Sequence, residues 1–451
     1  MTTITRPNIT APGPSGLKAL HAAIGMRDAP DRTHAKLRAR HGPTWRIETP
    51  LPGIPAITAT SSMAGIRTIL TDRETFGKAS PVYEEMGRVL GDGLLTSEGE
   101  RWVAQRRTIQ PLFTRTRVDG YAADFDRAAA ETVASWPTNG TIDLDATMRE
   151  LTVRAASTTL FGLDAYDLVA PVLGDVVTLS EMVIGRGMRP MPRLPLLHRR
   201  ADRRFDGLRQ RIEGSITDLV DRRNEEVDGD DDLVGVLQGA TDPETGEPMS
   251  AQDVLEQAVV FLLAGHETTS TALTFALWEV SRRPRLQAAL REEARAVLPT
   301  DVGVDAATIL QLDLTRRVLD EAMRLHPPVP VTGRSVARDA EVDGFLVRAG
   351  EVVITDFAGL HLDATIYDDP TRFDPRRFLP AVAKGRDAYA YLPFGGGPRA
   401  CIGSRFALLE ATVALARILR DRTLTGGADV VARSFGITMT PSEPVRVAIA
   451  S

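Results

Sequence analysis

The chain has one cysteine, Cys401, in the segment Phe394-Gly395-Gly396-Gly397-Pro398-Arg399-Ala400-Cys401-Ile402-Gly403. That segment runs straight into a stretch with Phe406, Leu408, Leu409, Val413, Leu415 and Ile418 at helical core spacing. A cysteine at a helix N-terminus meets the partial positive charge of the first turn and amide donors not bonded within the helix, and both favour thiolate over thiol. The glycines upstream let the backbone approach a flat partner that side chains would hold away. A buried cysteine beside a glycine turn is the other reading.

A second group is Ala264-Gly265-His266-Glu267-Thr268-Thr269, set in a stretch that is apolar nearly all round from Val259 to Leu263 and again at Ala272, Leu273 and Phe275. Polar groups there are costly unless used, although threonine hydroxyls can bond back to carbonyls one turn earlier. A zinc-protease HExxH reading fails, because Ser270 stands where the second histidine is needed. A third group, Glu321-Ala322-Met323-Arg324, puts an acid and a base on one helical face. Glu85 to Arg88, Glu98 to Arg101, Glu279 to Arg282 and Glu292 to Arg295 share that spacing, so spacing alone carries nothing. Only Glu321 to Arg324 ends in a proline-stopped helix, Leu325-His326-Pro327-Pro328, upstream of Phe373-Asp374-Pro375-Arg376-Arg377-Phe378.

Helices must position these groups. Apolar residues at three- and four-residue steps predict helices over 61–72, 98–108, 121–136, 144–162, 165–186, 203–227, 250–283, 285–297, 314–326 and 402–420. Ser250 with Asp253 reads as a capping box for the longest of them. Pro52-Gly53 between Trp45, Ile47 and Ile54, Ile57 predicts a hairpin over 44–60. Val331, Val336, Phe345, Val347, Val352 and Ile354 predict strands over 331–355, and 430–449 suits a further hairpin. Residues 1–16, with Pro7, Pro12 and Pro14, read as an irregular arm, and 17–451 as one mostly helical domain.

Composition removes several function classes. The 451 residues carry 54 Lys and Arg against 60 Asp and Glu, a net charge of −6, with 43% hydrophobic and 5% aromatic residues. A mildly acidic chain poor in aromatics lacks the basic field and stacking groups of a nucleic-acid binder. One cysteine excludes intrachain disulfides, CxxC zinc sites and iron-sulfur clusters, and suits a reducing, cytoplasmic compartment. The longest apolar stretch, Ala258 to Gly265, is short of a bilayer span, so neither signal peptide nor membrane anchor is expected. The acidic run Glu225, Glu226, Asp228, Asp230, Asp231, Asp232 reads as a solvated loop.

The cysteine segment, Phe-x-x-Gly-x-Arg-x-Cys-x-Gly, resembles the haem-binding loop of the cytochrome P450 family at every fixed position. Ala264-Gly265-x-Glu267-Thr268 resembles the family's oxygen-binding helix motif, Glu321, Arg324 and Arg377 its Glu-Arg-Arg network, and Trp102-x-x-x-Arg106 and Arg334 its propionate partners. The motifs stand in family order from 102 to 403, and the resemblance covers essentially the whole chain. It implies the cytochrome P450 fold: mainly α, about a dozen helices, a small β-rich lobe, and haem between the long helix and the helix after Cys401.

By that resemblance Cys401 is the iron ligand, and Arg399, Trp102, Arg106 and Arg334 pair with propionates. Phe394, Gly395 and Gly403 shape the haem loop, while Ala264 and Gly265 leave a groove. Thr268 would hydrogen-bond dioxygen and Glu267 would relay protons. Glu321, Arg324 and Arg377 would support the loop without touching substrate. His361-Leu362-Asp363 lies where relatives often show His-Arg-Asp, and without the arginine His361 receives no role.

The reaction implied is monooxygenation with haem b and O2. Electrons would come from NAD(P)H through a separate ferredoxin reductase and ferredoxin, docking where Arg106, Arg107 and Arg405 complement an acidic partner. A soluble bacterial monomer is implied. Substrate positions by family order are Tyr83, Met86, Val89, Leu90 and Leu94 in a loop over 82–95, the Met182 to Met191 region, Val260, Phe261, Val329, Val331, Phe435 and Ile437. They are mostly aliphatic and suit a hydrophobic small molecule, since unpaired buried polar groups are costly. The stretch from Gly93 to Phe113 is also similar to that of terpene- and fatty-acid-oxidising bacterial relatives. A cyclic terpene of secondary metabolism is preferred, with a fatty acid or macrolide as the alternative. A haem-thiolate isomerase or dehydratase would not need the Glu267-Thr268 pair, and a haem sensor would need a signalling domain.

Overall fold

The computed structural model describes residues 9–51, 53–188, 195–227 and 232–451, with the backbone alone for 195–200. Pro7, Pro52, Met191, Asp228, Asp230 and Asp231, named above, lie outside the described residues. The architecture is mainly α with small sheets. Most predicted helices are present within a few residues of their expected bounds.

Helix Ala251–Ser281 runs through the centre, and nearly every residue from Val254 onward on its inner faces is buried. It starts where Ser250 Oγ accepts from the Asp253 N–H at 3.1 Å, and the Asp253 carboxylate in turn accepts the Ser250 hydroxyl at 2.7 Å. The acid reaches the serine hydroxyl rather than its backbone, a variant of the expected capping box. Ser250→Ala should cost about 1 kcal/mol. It should also speed amide hydrogen exchange in the first turn, while leaving exchange around Thr268 unchanged.

The core divides into two large apolar clusters that share this helix. Val254 to Leu263 belong to the first, and Ala272 to Val280 to the second. Between them lies the polar stretch from Ala264 to Thr271, so the break in the apolar surface falls where the sequence carries its chemistry. Helix Ser404–Asp421 likewise contributes to both clusters. It is tied to Ala122–Ser135 by the buried pair Arg417–Asp126, with Nε to Oδ1 at 2.8 Å.

The main sheet orders its strands 44–47, 57–60, 352–356, 331–336 and 76–77. Thr44 opposes Thr60 in the antiparallel hairpin, and Ile57 pairs with Val352 in parallel. Strands Arg433–Phe435 and Met439–Pro441 form the hairpin expected near the C-terminus. Strand Arg446–Ala450 instead joins Gly140–Asp143 and Thr423–Thr425 in a separate sheet.

Three expectations need correction. The 82–95 region is not a loop throughout: Pro81–Leu90 is a helix, with proline at its first turn where no N–H is needed. The 165–186 helix is broken by a 3-10 turn, Ala170–Val172, around Pro171, and resumes as Leu173–Gly187. By length and composition alone, Tyr166–Gly187 taken together is long and apolar enough to cross a membrane. In the fold, Leu173–Gly187 packs on Pro81–Leu90 and Pro195–Glu226, and its charges are bonded to neighbours. Asp175 accepts from Arg211 Nε at 2.8 Å, and Arg186 donates to Glu85 and Asp202, each at 2.6 Å. It is called the roof helix below, because it covers the cavity described next.

Candidate functional site

A cavity of about 960 Å³ lies beneath the roof helix. Cys401, Arg399, Phe394, Gly395 and Gly403 of the cysteine loop line it, as do Ala264, Gly265, Glu267 and Thr268 of the central helix. So do Trp102, Arg106, Arg334, Tyr83, Met86, Val89, Leu90, Leu94, Val260, Phe261, Val329, Val331, Phe435 and Ile437. All of these residues therefore face one space; of the Met182 to Met191 region, Val183, Ile184, Arg186, Gly187 and Met188 line it and Met182 does not. Glu321, Arg324 and Arg377, expected to act from behind the loop, do not line it.

Ala264 is exposed to the cavity although the helix around it is buried, and a Cβ on Gly265 would meet no atom within 4 Å. The backbone is thus bare over this turn. Thr268 Oγ1 donates back to the Ala264 carbonyl at 2.8 Å, so the hydroxyl makes the local bond that threonine can make in any helix while facing the cavity. His266 points away into the core. Its Nδ1 meets the Leu262 carbonyl at 2.8 Å, and burial lowers its pKa to about 4, which leaves a neutral ring. Among the described residues no group of His, Cys, Asp and Glu could hold a metal ion by itself.

The cysteine loop is held by protein on one side and opens to the cavity on the other. Cys401 N–H donates to the Phe394 carbonyl at 2.9 Å, which closes the loop. Gly397, with φ 68°, has its Cα so close to helix Met63–Thr71 that a Cβ would lie 2.2 Å from the Leu70 carbonyl oxygen. That glycine serves contact within the protein, not approach to a ligand; Gly395, φ 69°, is the one whose Cβ would project into open space. Helix Ser404–Asp421 begins after Gly403, so Cys401 precedes its first turn. Burial pushes the thiol above its ordinary value, opposed by the Gly403 N–H and by Arg106. The groups that favour a thiolate here are thus the Gly403 N–H and Arg106, rather than the first turn of the following helix, and the sulfur itself is open to the cavity.

Arg399 stacks over Trp102 at 4.3 Å and donates to the Ser97 carbonyl at 3.0 Å. Arg334 donates to Tyr83 Oη at 3.2 Å and Thr332 Oγ1 at 2.9 Å. Lys78, which no sequence motif signalled, bonds the Leu95 carbonyl and stands over the Tyr83 ring at 4.9 Å. These three cations repel. Burial first, and then Arg334, bring Arg399 down to about 10, and burial with Arg334 and Arg399 holds Lys78 well below its ordinary value. Glu98, whose carboxylate accepts the Lys78 backbone N–H, is the acid that opposes them. A corner with this surplus of positive charge fits a ligand bearing two carboxylates. With a sulfur on one wall and bare helix backbone on another, the cavity fits a flat, dianionic metal macrocycle. Arg106, also on the cavity wall, donates to the Ala400 carbonyl at 3.1 Å beside the cysteine.

Behind the loop, Glu321 accepts from Arg324 Nε at 2.7 Å and Nη2 at 2.8 Å, and from Arg377 Nε at 3.3 Å. Glu321 and Arg324 are fully buried, unlike the other pairs of that spacing. Arg324 Nη1 reaches the carbonyls of His361 and Pro370, and His361 Nε2 accepts the Leu392 N–H at 2.9 Å. His361 does not line the cavity, and burial keeps it neutral, with a pKa near 3. Sequence reasoning also missed Glu410, buried against Thr269, whose carboxyl burial pushes well above its usual range.

The surface expected to meet an acidic partner needs correction. Arg107 Nε is already bonded to Asp242 at 2.9 Å, and Arg405 Nε to Asp119 at 2.8 Å. Their charge is largely neutralised within the chain.

The family model described as Cytochrome P450 matches residues 12–439. Cyclooctatin synthase of Streptomyces melanosporofaciens is 36% identical over 359 residues, 78% of this chain and 77% of that protein. Cyclooctat-9-en-7-ol 5-monooxygenase of the same species is 31% identical over a similar span. Pentalenene oxygenase of Streptomyces avermitilis is 28% identical over 82% of each chain.

Proposed function

The chain belongs to the cytochrome P450 family and is a haem monooxygenase, and on that premise we propose that it hydroxylates a cyclic terpene of secondary metabolism. The observation that carries the reading is the single cavity in which Cys401, the Glu267-Thr268 pair and a wall of aliphatic side chains meet. The names of the Streptomyces relatives, which refer to cyclooctatin and pentalenene, support the substrate class. Haem b held there supplies the chemistry RH + O2 + 2 electrons + 2 protons → ROH + H2O.

The residues divide that work. Cys401 gives the thiolate ligand, and Gly403 N–H with Arg106 tempers its charge. Arg399, Arg334 and Lys78 take the propionates, with Trp102 stacked beneath Arg399. Ala264 and Gly265 leave room for dioxygen. Thr268 offers a hydroxyl to it, and Glu267 passes protons by way of water. Met86, Val89, Leu90, Leu94, Val260, Phe261, Val329 and Ile437 exclude water and orient a hydrocarbon. Electrons come from NAD(P)H by way of a ferredoxin reductase and a ferredoxin, in the cytoplasm, to a monomer whose residues 17–451 act as one domain.

The test is an absorbance titration of the ferric haem protein with cyclic sesquiterpenes and diterpenes. A saturable low-spin to high-spin shift is expected, followed by one hydroxylated product per two electrons when ferredoxin and reductase are added. A shift with fatty acids or macrolides, and none with terpenes, would overturn the substrate class.

A further inference from the structure

We infer that Thr438 is a positioning residue for the acid Glu267, and that it couples this acid to the roof helix. The inference rests on the proposed use of Glu267 in proton delivery.

Thr438 lies in the turn between strands Arg433–Phe435 and Met439–Pro441. Its hydroxyl donates to Glu267 Oε2 in a contact buried on both sides. The other carboxylate oxygen, Oε1, lies 3.8 Å from Arg149 Nη1. Arg149 is held in turn by Asp145, with Nε to Oδ2 at 2.9 Å. The acid is therefore steadied from two elements outside its own helix, and among the described residues Thr438 alone makes a direct hydroxyl bond to it.

That threonine is itself fixed. Met439 N–H donates to the Pro328 carbonyl at 2.8 Å, and Gly436 N–H to the Thr438 carbonyl at 3.0 Å. On the other side the turn is fastened to the roof helix. Ile437 N–H donates to Ser180 Oγ at 2.6 Å, and Ser434 Oγ bonds the Glu181 carboxylate. Gly436 packs so closely there that a Cβ would lie 2.3 Å from Ser180 Oγ. Ile437, which faces the cavity, is thus the neighbour of the residue that holds the acid. A molecule pressing on Ile437 or on the roof helix presses on the hold of Thr438 on Glu267.

The hold matters because the acid must both give and regain a proton. Burial raises the Glu267 carboxyl above its ordinary value, and Glu181 on the roof helix adds to this. The Thr438 hydroxyl and Arg149 act in the opposite sense, with Asp145 behind Arg149. Glu267 passes its proton to water beside Thr268 and is reprotonated by water from outside. The two protons consumed with the two electrons leave in the product water. Without the Thr438 donor the carboxyl keeps its proton to higher pH and loses its fixed direction.

Thr438→Val preserves side-chain shape and removes the donor, whereas Thr438→Ser restores it. The Glu267 carboxyl is followed by difference infrared spectroscopy of the haem protein, as the titrating band absent from Glu267→Gln. Its midpoint should rise by about one pH unit in Thr438→Val and stay near the parent in Thr438→Ser. With a cyclic terpene that passes the titration above, Thr438→Val should lose about tenfold in product per electron, with peroxide in its place and spin-shift affinity unchanged. An unmoved midpoint, or Val and Ser variants that behave alike, would overturn the inference. If Glu267→Gln uncouples turnover and Thr438→Val does not, only the role of Thr438 falls. If Glu267→Gln stays fully coupled, the proton-delivery reading falls and this one with it.

Discussion

Cys401→Ala is expected to abolish the reduced carbon monoxide spectrum of a thiolate-ligated haem, and hydroxylation with it. The chain has no second cysteine to substitute. Among the described residues no other group gathers enough His, Cys, Asp and Glu to bind a metal. The substitution is otherwise mild. The loop is closed by the backbone N–H of residue 401 on Phe394, which alanine keeps, and the lost sulfur faces the cavity rather than packed neighbours. The haem-free variant should therefore unfold within about 0.5 kcal/mol of the haem-free parent. Spectroscopy and denaturation together check this. A surviving thiolate spectrum would refute the ligand assignment, and a collapsed fold would show that the sulfur has a packing role.

Glu321→Ala should act in the opposite way, on the fold first and the haem second. Its carboxylate accepts four hydrogen bonds: two from Arg324, one from Arg377, and one from the Asp374 N–H at 2.8 Å. Removing it leaves the fully buried Arg324 guanidinium without a counter-charge, a change that costs about 3–5 kcal/mol. That is a large share of a total stability of about 5–15 kcal/mol. Because Arg324 also holds the carbonyls of His361 and Pro370, the damage passes toward the cysteine loop. Lower haem content and an earlier melt are both expected. Glu321→Gln keeps an acceptor but not the charge, and should fall between. A melt equal to the parent's for Glu321→Ala would mean that the pair is not what holds the loop.

Much of the site was legible because its parts are local in sequence. The cysteine loop, the Ala264 to Thr269 stretch and the Glu321 to Arg324 pair each occupy one or two turns, and helical periodicity supplied the elements that carry them. What was illegible arises from convergence. Lys78 stands in no motif, and its place beside Arg334 and Arg399 exists only after the sheet has formed. The bond from Thr438 to Glu267 spans 171 positions, and nothing at either end announces it. Helices Leu17–Asp28 and Pro30–His41 escaped because few of their residues are buried, so their apolar stripe is thin. Helix Pro81–Leu90 did carry a signal, with Met86, Val89 and Leu90 buried and proline at the first turn. Its place among substrate contacts does not require a loop, because a helix presents side chains to a cavity as well.

The contact between Gly397 and the Leu70 carbonyl has a consequence for how the protein is made. The seat of the cysteine loop is helix Met63–Thr71, far upstream in sequence, and Arg399 rests on the Ser97 carbonyl, 302 positions earlier. A ribosome adds about 5–20 residues per second, N-terminal end first. For most of translation, then, the emerged chain carries Leu70, Ser97, Trp102 and Lys78 with nothing to close over them. The cavity is a clasp whose two halves are 302 positions apart at the Arg399–Ser97 contact, so haem capture waits until the residues around Cys401 have emerged, and a message truncated before codon 401 yields a polypeptide with half a binding site.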